Sequence, residues 1–154
     1  MAILPLVLVP SPILREKAKP VETVTDEIKT LLDDMLDTMY DAPGIGLAAN
    51  QVGSLHRLFV VDIADHKGGE EPAPYKMINP EIIDKSEETS VYNEGCLSIP
   101  DGTGDVIRPA SVTVRYMDPE GETHELEAEG LLATCIQHEL DHLDGILYTQ
   151  RIEA

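Results

Sequence analysis

Two histidines stand four residues apart with a glutamate between them in the segment CIQHELDHLDG, Cys135 to Gly145. A helix turns about 100° per residue, so His138 and His142 fall on one face and their rings can converge on a single point. H-E-x-x-H on a helix supplies two imidazole ligands for a metal ion, and Glu139 beside them supplies a general base. A purely structural metal site has no use for that glutamate, whereas a hydrolytic site needs three protein ligands, an open position and a base. The pattern therefore predicts metal-assisted hydrolysis.

The third ligand decides the class of hydrolase. A metzincin would place a histidine six residues after His142, where Tyr148 stands. A Glu ligand on a following helix finds no room in the twelve residues after His142. The ligand is expected upstream, where His56, His66, His124 and Cys96 compete. The first two read as surface histidines and His124 as a strand residue facing water. Cys96 lies in EGCLSIP, where Gly95 permits an unusual turn and Pro100 ends an extended segment. With His138 and His142 it would form a Cys-His-His set that leaves a fourth position for water.

These groups need elements to hold them. Projecting Leu131 to Asp144 as a helix places apolar residues over a broad arc, with Thr134, Gln137, Asp141 and Asp144 on the remainder, so the metal helix is expected to be largely buried and closed by Gly145. An earlier amphipathic helix is expected over TVTDEIKTLLDDMLDTMYDAPG, with Thr23 or Thr25 as cap and Pro43-Gly44 as its end. RLFVVDI reads as a buried strand and ADHKGGEEPAP as a loop. Further strands are expected in YKMINPEII, SVTVRYMD and THELEAEG, the last two joined by a DPEGE turn. The opening MAILPLVLVPSPILR reads as a strand or extended arm. Strands clustered between two helices predict an α+β domain of mainly antiparallel sheets around the C-terminal H-E-x-x-H helix, one domain over residues 1–154.

Bulk composition narrows the partners. Eleven Lys+Arg against 29 Asp+Glu give a formal charge of −18 and a pI near 4.4, which opposes binding to DNA or RNA. No apolar run reaches the roughly 18–20 residues of a membrane span, and no secretion signal is recognised, so a cytoplasmic protein with reduced thiols is expected. The sequence carries no oligomerisation signal, and a monomer is expected.

GIGLAANQ (Gly44 to Gln51), EGCLS (Glu94 to Ser98) and QHELDH (Gln137 to His142), in this order, closely resemble the three signature segments of the peptide deformylases. The likeness to the bacterial form runs from about Ile3 to Arg151. It implies removal of the formyl group from N-formylmethionyl nascent peptides, with Cys96, His138 and His142 binding one divalent ion. Fe(II) is expected, and Zn(II), Ni(II) or Co(II) can occupy such sites. Glu139 would move the proton, and the Gln51 side chain and Leu97 N–H would stabilise the oxyanion. The backbone at Ile45 and Gly46, with Glu94 and Gly95, would bind the extended peptide. Leu131 and Cys135 could line a methionine pocket, although core packing is the preferred expectation for both. The chain departs from the pattern at Thr103, in a DGTGD loop, where many bacterial members carry Arg. Its charge, and the lack of a basic extension after the metal helix, speak against ribosome docking. The alternatives are a zinc peptidase and a metal-stabilised peptide-binding module without turnover.

Overall fold

The computed structural model describes residues 3–8, 12–42, 44–64, 69, 73–96 and 98–146. Helix α1 spans Asp26–Asp41. Thr25 caps it, its hydroxyl accepting from the Ile28 N–H, so the choice between Thr23 and Thr25 falls to Thr25. Pro43 lies outside the described residues. Ile28, Leu32, Met35 and Met39 form the buried stripe of α1, the i, i+4, i+7, i+11 spacing that a helix requires for one face.

Next come strands β1 (Gly46–Ala48), β2 (Leu58–Val61) and β3 (Tyr75–Lys85), then β4 (Thr89–Cys96), β5 (Ile99–Pro109), β6 (Ser111–Met117) and β7 (Thr123–Glu129). Five of them form one antiparallel sheet in the order β1-β2-β3-β6-β7, and β4 and β5 form a separate antiparallel hairpin. The expected α+β architecture with mainly antiparallel pairing is what forms.

The run Leu58-Phe59-Val60-Val61 is buried at all four positions because the sheet is covered on both sides. Leu58 and Val60 join the α1 residues in one apolar cluster, whereas Phe59 and Val61 join Ile136 and Leu143 of the second helix, α2 (Gly130–Leu143), in the other. Each fully buried aliphatic or aromatic side chain of this kind contributes about 1.5–3 kcal/mol, which fixes both helices against the sheet.

Two expectations change, at DGTGD and at Pro100. The DGTGD segment is not a loop but part of β5, with Thr103 opposite Gly95 and Gly104 opposite Glu94. The chain reverses earlier, between Cys96 and Ile99, and Pro100 falls inside β5 instead of ending an extended segment. A ladder supplied by β4 overrides the turn propensity of the glycines. The YKMINPEII strand is interrupted by a register shift between Ile78 and Glu81. Asn79 there adopts φ 51, and its side chain clamps the Val21 backbone by accepting from N at 2.7 Å and donating to O at 2.8 Å. Of the two forms expected for the N-terminal segment, residues 3–8 take the extended arm: Leu4 N–H donates to Thr38 and Val7 N–H to the Gln51 carbonyl.

Strand β7 passes into α2 without a loop. The junction residue, Gly130, sits at φ 62, a left-handed conformation that side-chain-bearing residues enter only at a cost. The abrupt turn aims α2 across the sheet. At its far end Gly145, at φ 77, follows the cap residue Asp144, as expected.

Candidate metal centre and substrate cavity

Cys96 arrives from the last position of β4, and His138 and His142 from consecutive turns of α2. Their ligand atoms lie within 4.8 Å of one another. Cys96 Sγ is 3.3 Å from His142 Nε2, which is 3.2 Å from His138 Nε2. Two ligands on one tetrahedral ion, with bonds of about 2.0–2.3 Å, stand roughly 3.3–3.6 Å apart, so the three atoms already have the spacing of a shared cation. Of the upstream rivals, His56 is exposed, His124 is exposed and bonded to Asp118 at 2.7 Å, and His66 lies outside the described residues.

The electrostatics favour a positive charge at this point. Burial alone would lower His138, but hydrogen bonds to Cys96 and Glu94 outweigh it and hold the ring up to about 10. Burial, with the positive charges of His138 and Arg108, drives His142 well below the usual histidine value, so that ring is neutral and its lone pair available. A site that holds a proton so firmly suits a divalent cation, and a thiolate with two imidazoles is a donor set fit for iron or zinc.

Behind His138 runs a buried ionic chain. Glu94 Oε1 accepts from His138 Nδ1 at 2.8 Å, and Arg108 grips the same carboxylate through Nε at 2.7 Å and Nη2 at 2.9 Å. Arg108 Nη1 then donates to Asp141 of α2 at 2.8 Å. Burial opposes ionisation of Glu94, but the bonds from His138 and Arg108 prevail and leave its carboxyl below the ordinary value. The resemblance groups Glu94 with the peptide-binding residues; its carboxylate is committed to this chain. A carboxylate that holds the far nitrogen of a ligand histidine fixes its tautomer and orientation.

Glu139 is 4% exposed and its Oε1 has no hydrogen-bond partner among the described residues. Burial pushes its carboxyl up to about 7; His138 pulls it down, and Glu94 pushes it further up. A partnerless buried carboxylate poised near neutrality is costly to keep unless a ligand uses it. Gly46 makes room for it: a Cβ there would lie 2.5 Å from Glu139 Oε2 and 2.9 Å from Cys135 Sγ.

Gln51 sits in a short 3-10 turn, Ala49–Val52, directly after β1. Its Oε1 accepts from the Ala48 N–H at 2.9 Å, which turns Nε2 toward Cys96 Sγ at 3.3 Å and Ser98 Oγ at 3.2 Å. Its neighbour Asn50 donates to the His142 carbonyl at 2.6 Å and ties that turn to the metal helix. Leu97, the expected second oxyanion donor, lies outside the described residues.

A cavity of about 400 Å³ opens beside these groups, walled by Ile45 and Gly46 on one side, Gly95 and Thr103 on another, and Leu131 and Cys135 of α2. Core packing was the preferred expectation for Leu131, yet it is 40% exposed and lines the cavity. Cys135 does both, packed in the core and facing the cavity, and burial keeps it a thiol. Strand β1 is an edge strand, its other side paired with β2, so its cavity side can accept another extended chain.

Sequence reasoning missed Arg108, Asp141, Asn50 and Ser98. A signal existed for Glu94: it lies two residues before Cys96, and in a strand i and i+2 share a face. A partner for its charge could have been sought among only 11 basic residues.

Fold and site together define a metal-dependent hydrolase. A family model described as polypeptide deformylase matches residues 3–154. A peptide deformylase of Mesorhizobium japonicum is 57% identical over 152 residues, spanning 99% of this chain and 85% of that protein. The crystal structure of peptide deformylase from Thermotoga maritima matches with a TM-score of 0.93 at 38% identity, over 100% of both chains. The peptide deformylase of Ehrlichia chaffeensis in complex with actinonin matches with a TM-score of 0.93 at 39% identity, over 99% of this chain and 90% of that one. The chain belongs to the peptide deformylase family, and it is an enzyme that removes the N-formyl group from nascent peptides in a metal-dependent reaction.

Proposed function

We propose that Cys96, His138 and His142 hold one Fe(II) ion, with Zn(II), Ni(II) or Co(II) as substitutes, and that the substrates are N-formylmethionyl peptides. One observation carries this reading: three ligand atoms converge beside a buried, partnerless Glu139 at the floor of an open cavity. The ion would supply Lewis acidity, acidifying a water molecule and polarising the formyl carbonyl.

The chain's own groups do the rest. The edge of β1 at Ile45 and Gly46 and the backbone of Glu94 and Gly95 seat the peptide as an added strand. Leu131 and Cys135 offer an apolar wall to the methionine side chain. Glu139 takes the water proton as oxygen adds to the formyl carbon, then delivers it to the departing amine as the C–N bond breaks, releasing formate and a free amino terminus. Gln51 Nε2 and the Leu97 N–H donate to the formyl oxygen as charge develops there. The fixed amide of Gln51 supports this role, since a donor held in place needs no reorganisation.

We further infer a single catalytic domain working as a monomer in the cytoplasm. The charge of −18 opposes ribosomal RNA, which favours action on free peptides. Among the described residues no helix is long and apolar enough to cross a membrane. Assay of a formyl-Met peptide beside its unformylated counterpart tests the reading. Formate release without peptide-bond cleavage is expected; cleavage of the unformylated peptide would overturn it.

A further inference from the structure

Asn50 is completely buried, yet its side chain is only half satisfied. Its Nδ2 donates to the His142 carbonyl at 2.6 Å, across 92 positions of the chain, while its Oδ1 has no hydrogen-bond partner among the described residues. A buried amide acceptor left unpaired is destabilising, and an apolar side chain would fill the place without that cost. Nor does the carbonyl depend on Asn50, since it also accepts from the Gly145 N–H at 3.0 Å. Stability alone does not account for an asparagine here. What its bond joins is two halves of the reaction centre. Asn50 lies in the 3-10 turn that carries Gln51, and His142 brings one of the three converging ligand atoms on α2. The turn hangs from β1, an edge strand of three residues. The N-terminal arm also holds it, through the Val7 N–H on the Gln51 carbonyl at 2.7 Å, but the arm carries none of the described groups of the site. The bonds of the Gln51 side chain to Ala48, Cys96 and Ser98 set which way its amide points. Asn50 sets how far the turn stands from the helix.

We propose that Asn50 is a positioning residue, which fixes the separation between the oxyanion donor Gln51 and the metal ligands and acts on the reaction rate through Gln51. The inference rests on the role given to Gln51 above. Asn50 is not among the described residues that line the cavity, so it acts without touching substrate. A donor that meets charge only as it develops in the transition state changes kcat and kcat/KM together and leaves KM alone. Misplacing a reacting group by about 1 Å costs about 10²-fold in rate, and outright loss of one such donor costs about 10²–10³-fold. Asn50→Ala displaces the donor without deleting it, so kcat should fall about 10–100-fold, less than in Gln51→Ala, with KM unchanged. The melting temperature should drop by only about 2–4 °C, the effect of one lost hydrogen bond in a chain of this size.

The test is a double-mutant cycle on formate release from a formyl-Met peptide by zinc-loaded enzyme, comparing wild type, Asn50→Ala, Gln51→Ala and the double variant. The double variant should be within about twofold of Gln51→Ala, because the amide that Asn50 positions is already gone. Arg57→Met is the control. It removes the bond from Arg57 Nη1 to the next carbonyl of α2, that of Leu143, at 3.3 Å, together with the ion pair to Asp144, and leaves the Gln51 turn alone, so kcat should not change. Asn50→Leu keeps bulk without the donor and should behave as Asn50→Ala does. Two readouts need no turnover: zinc affinity should match wild type in both Asn50 variants, and the Gln51 side-chain amide protons, followed by NMR, should exchange faster with solvent. Losses that multiply in the double variant, an unchanged kcat in both Asn50 variants, or an equal loss in Arg57→Met would overturn the proposal. A fall in zinc affinity that accounts for the fall in rate would do the same, since Asn50 would then act through His142. Full activity of Gln51→Ala would instead remove Gln51 from the reaction, and the positioning role of Asn50 would fall with it.

Discussion

Glu139 and Gly46 form one functional unit, because the carboxylate occupies the volume a Cβ at position 46 would need. Glu139→Gln keeps the shape and removes the base, so formate release should fall about 10²–10⁴-fold while metal analysis finds the ion still bound. Loss of metal in that variant would show that the glutamate acts on the ligands. Gly46→Ala should displace the carboxylate from the cavity side. Overpacking of this kind costs typically 1–3 kcal/mol of stability, and misplacing a reacting group by about 1 Å costs about 10²-fold in rate, so activity should fall far more than the denaturation midpoint. At this scale the site was legible wherever chemistry and spacing are local: Glu139 between His138 and His142 is readable from helix period alone. Gly46 could be named only through resemblance, since the atom it makes room for lies 93 residues away in the chain.

Between elements, the chain Asp141–Arg108–Glu94–His138 joins hairpin to helix and holds the ring that faces the metal site. Removing the cation from such an arrangement leaves buried carboxylates uncompensated. Arg108→Met is therefore expected to cost about 3–5 kcal/mol in a denaturant titration, and metal affinity should drop about 10–100-fold as His138 loses its orientation. Unchanged metal affinity would reduce Arg108 to a structural role. Apart from the place of Glu94 two residues before Cys96, this chain was not readable in the sequence. Both helices were, because their apolar residues repeat every three or four positions within one segment, and β2 was, because four consecutive buried residues leave a continuous apolar run. The β4–β5 hairpin was not, for it turns outward the residues a reader would bury. Ile107 is 39% exposed and Val91 57%, while Arg108 between two apolar neighbours points inward. Alternation there follows the charge on Glu94 and not hydrophobicity, and only the three-dimensional partner reveals it.

For the molecule as a whole, the metal site is a cross-link. Sheet and α2 are fixed by apolar packing on both faces of β2, which no ligand is needed to maintain. The β4–β5 hairpin is different: it lies outside the five-stranded sheet, and its polar hold on α2 runs through Cys96, Glu94 and Arg108, with one further bond from Gln137 to the Pro109 carbonyl at its far end. Any ion that binds only the folded protein stabilises it by RT ln(1 + [L]/Kd), about 2.7 kcal/mol at one hundred times Kd. Chelation should therefore lower the melting temperature, but unevenly. Amide exchange is expected to quicken at the Cys96 end of the hairpin and to stay slow in β2 and in the Met77–Ile78 part of β3, where the apolar clusters of both helices cover the sheet. Cys96→Ser should reproduce that exchange pattern without a chelator and leave the β2–β3 protection intact. Uniform acceleration through β2 and β3 would instead mean that the ion supports the global core, and that the hairpin and the sheet open as one unit.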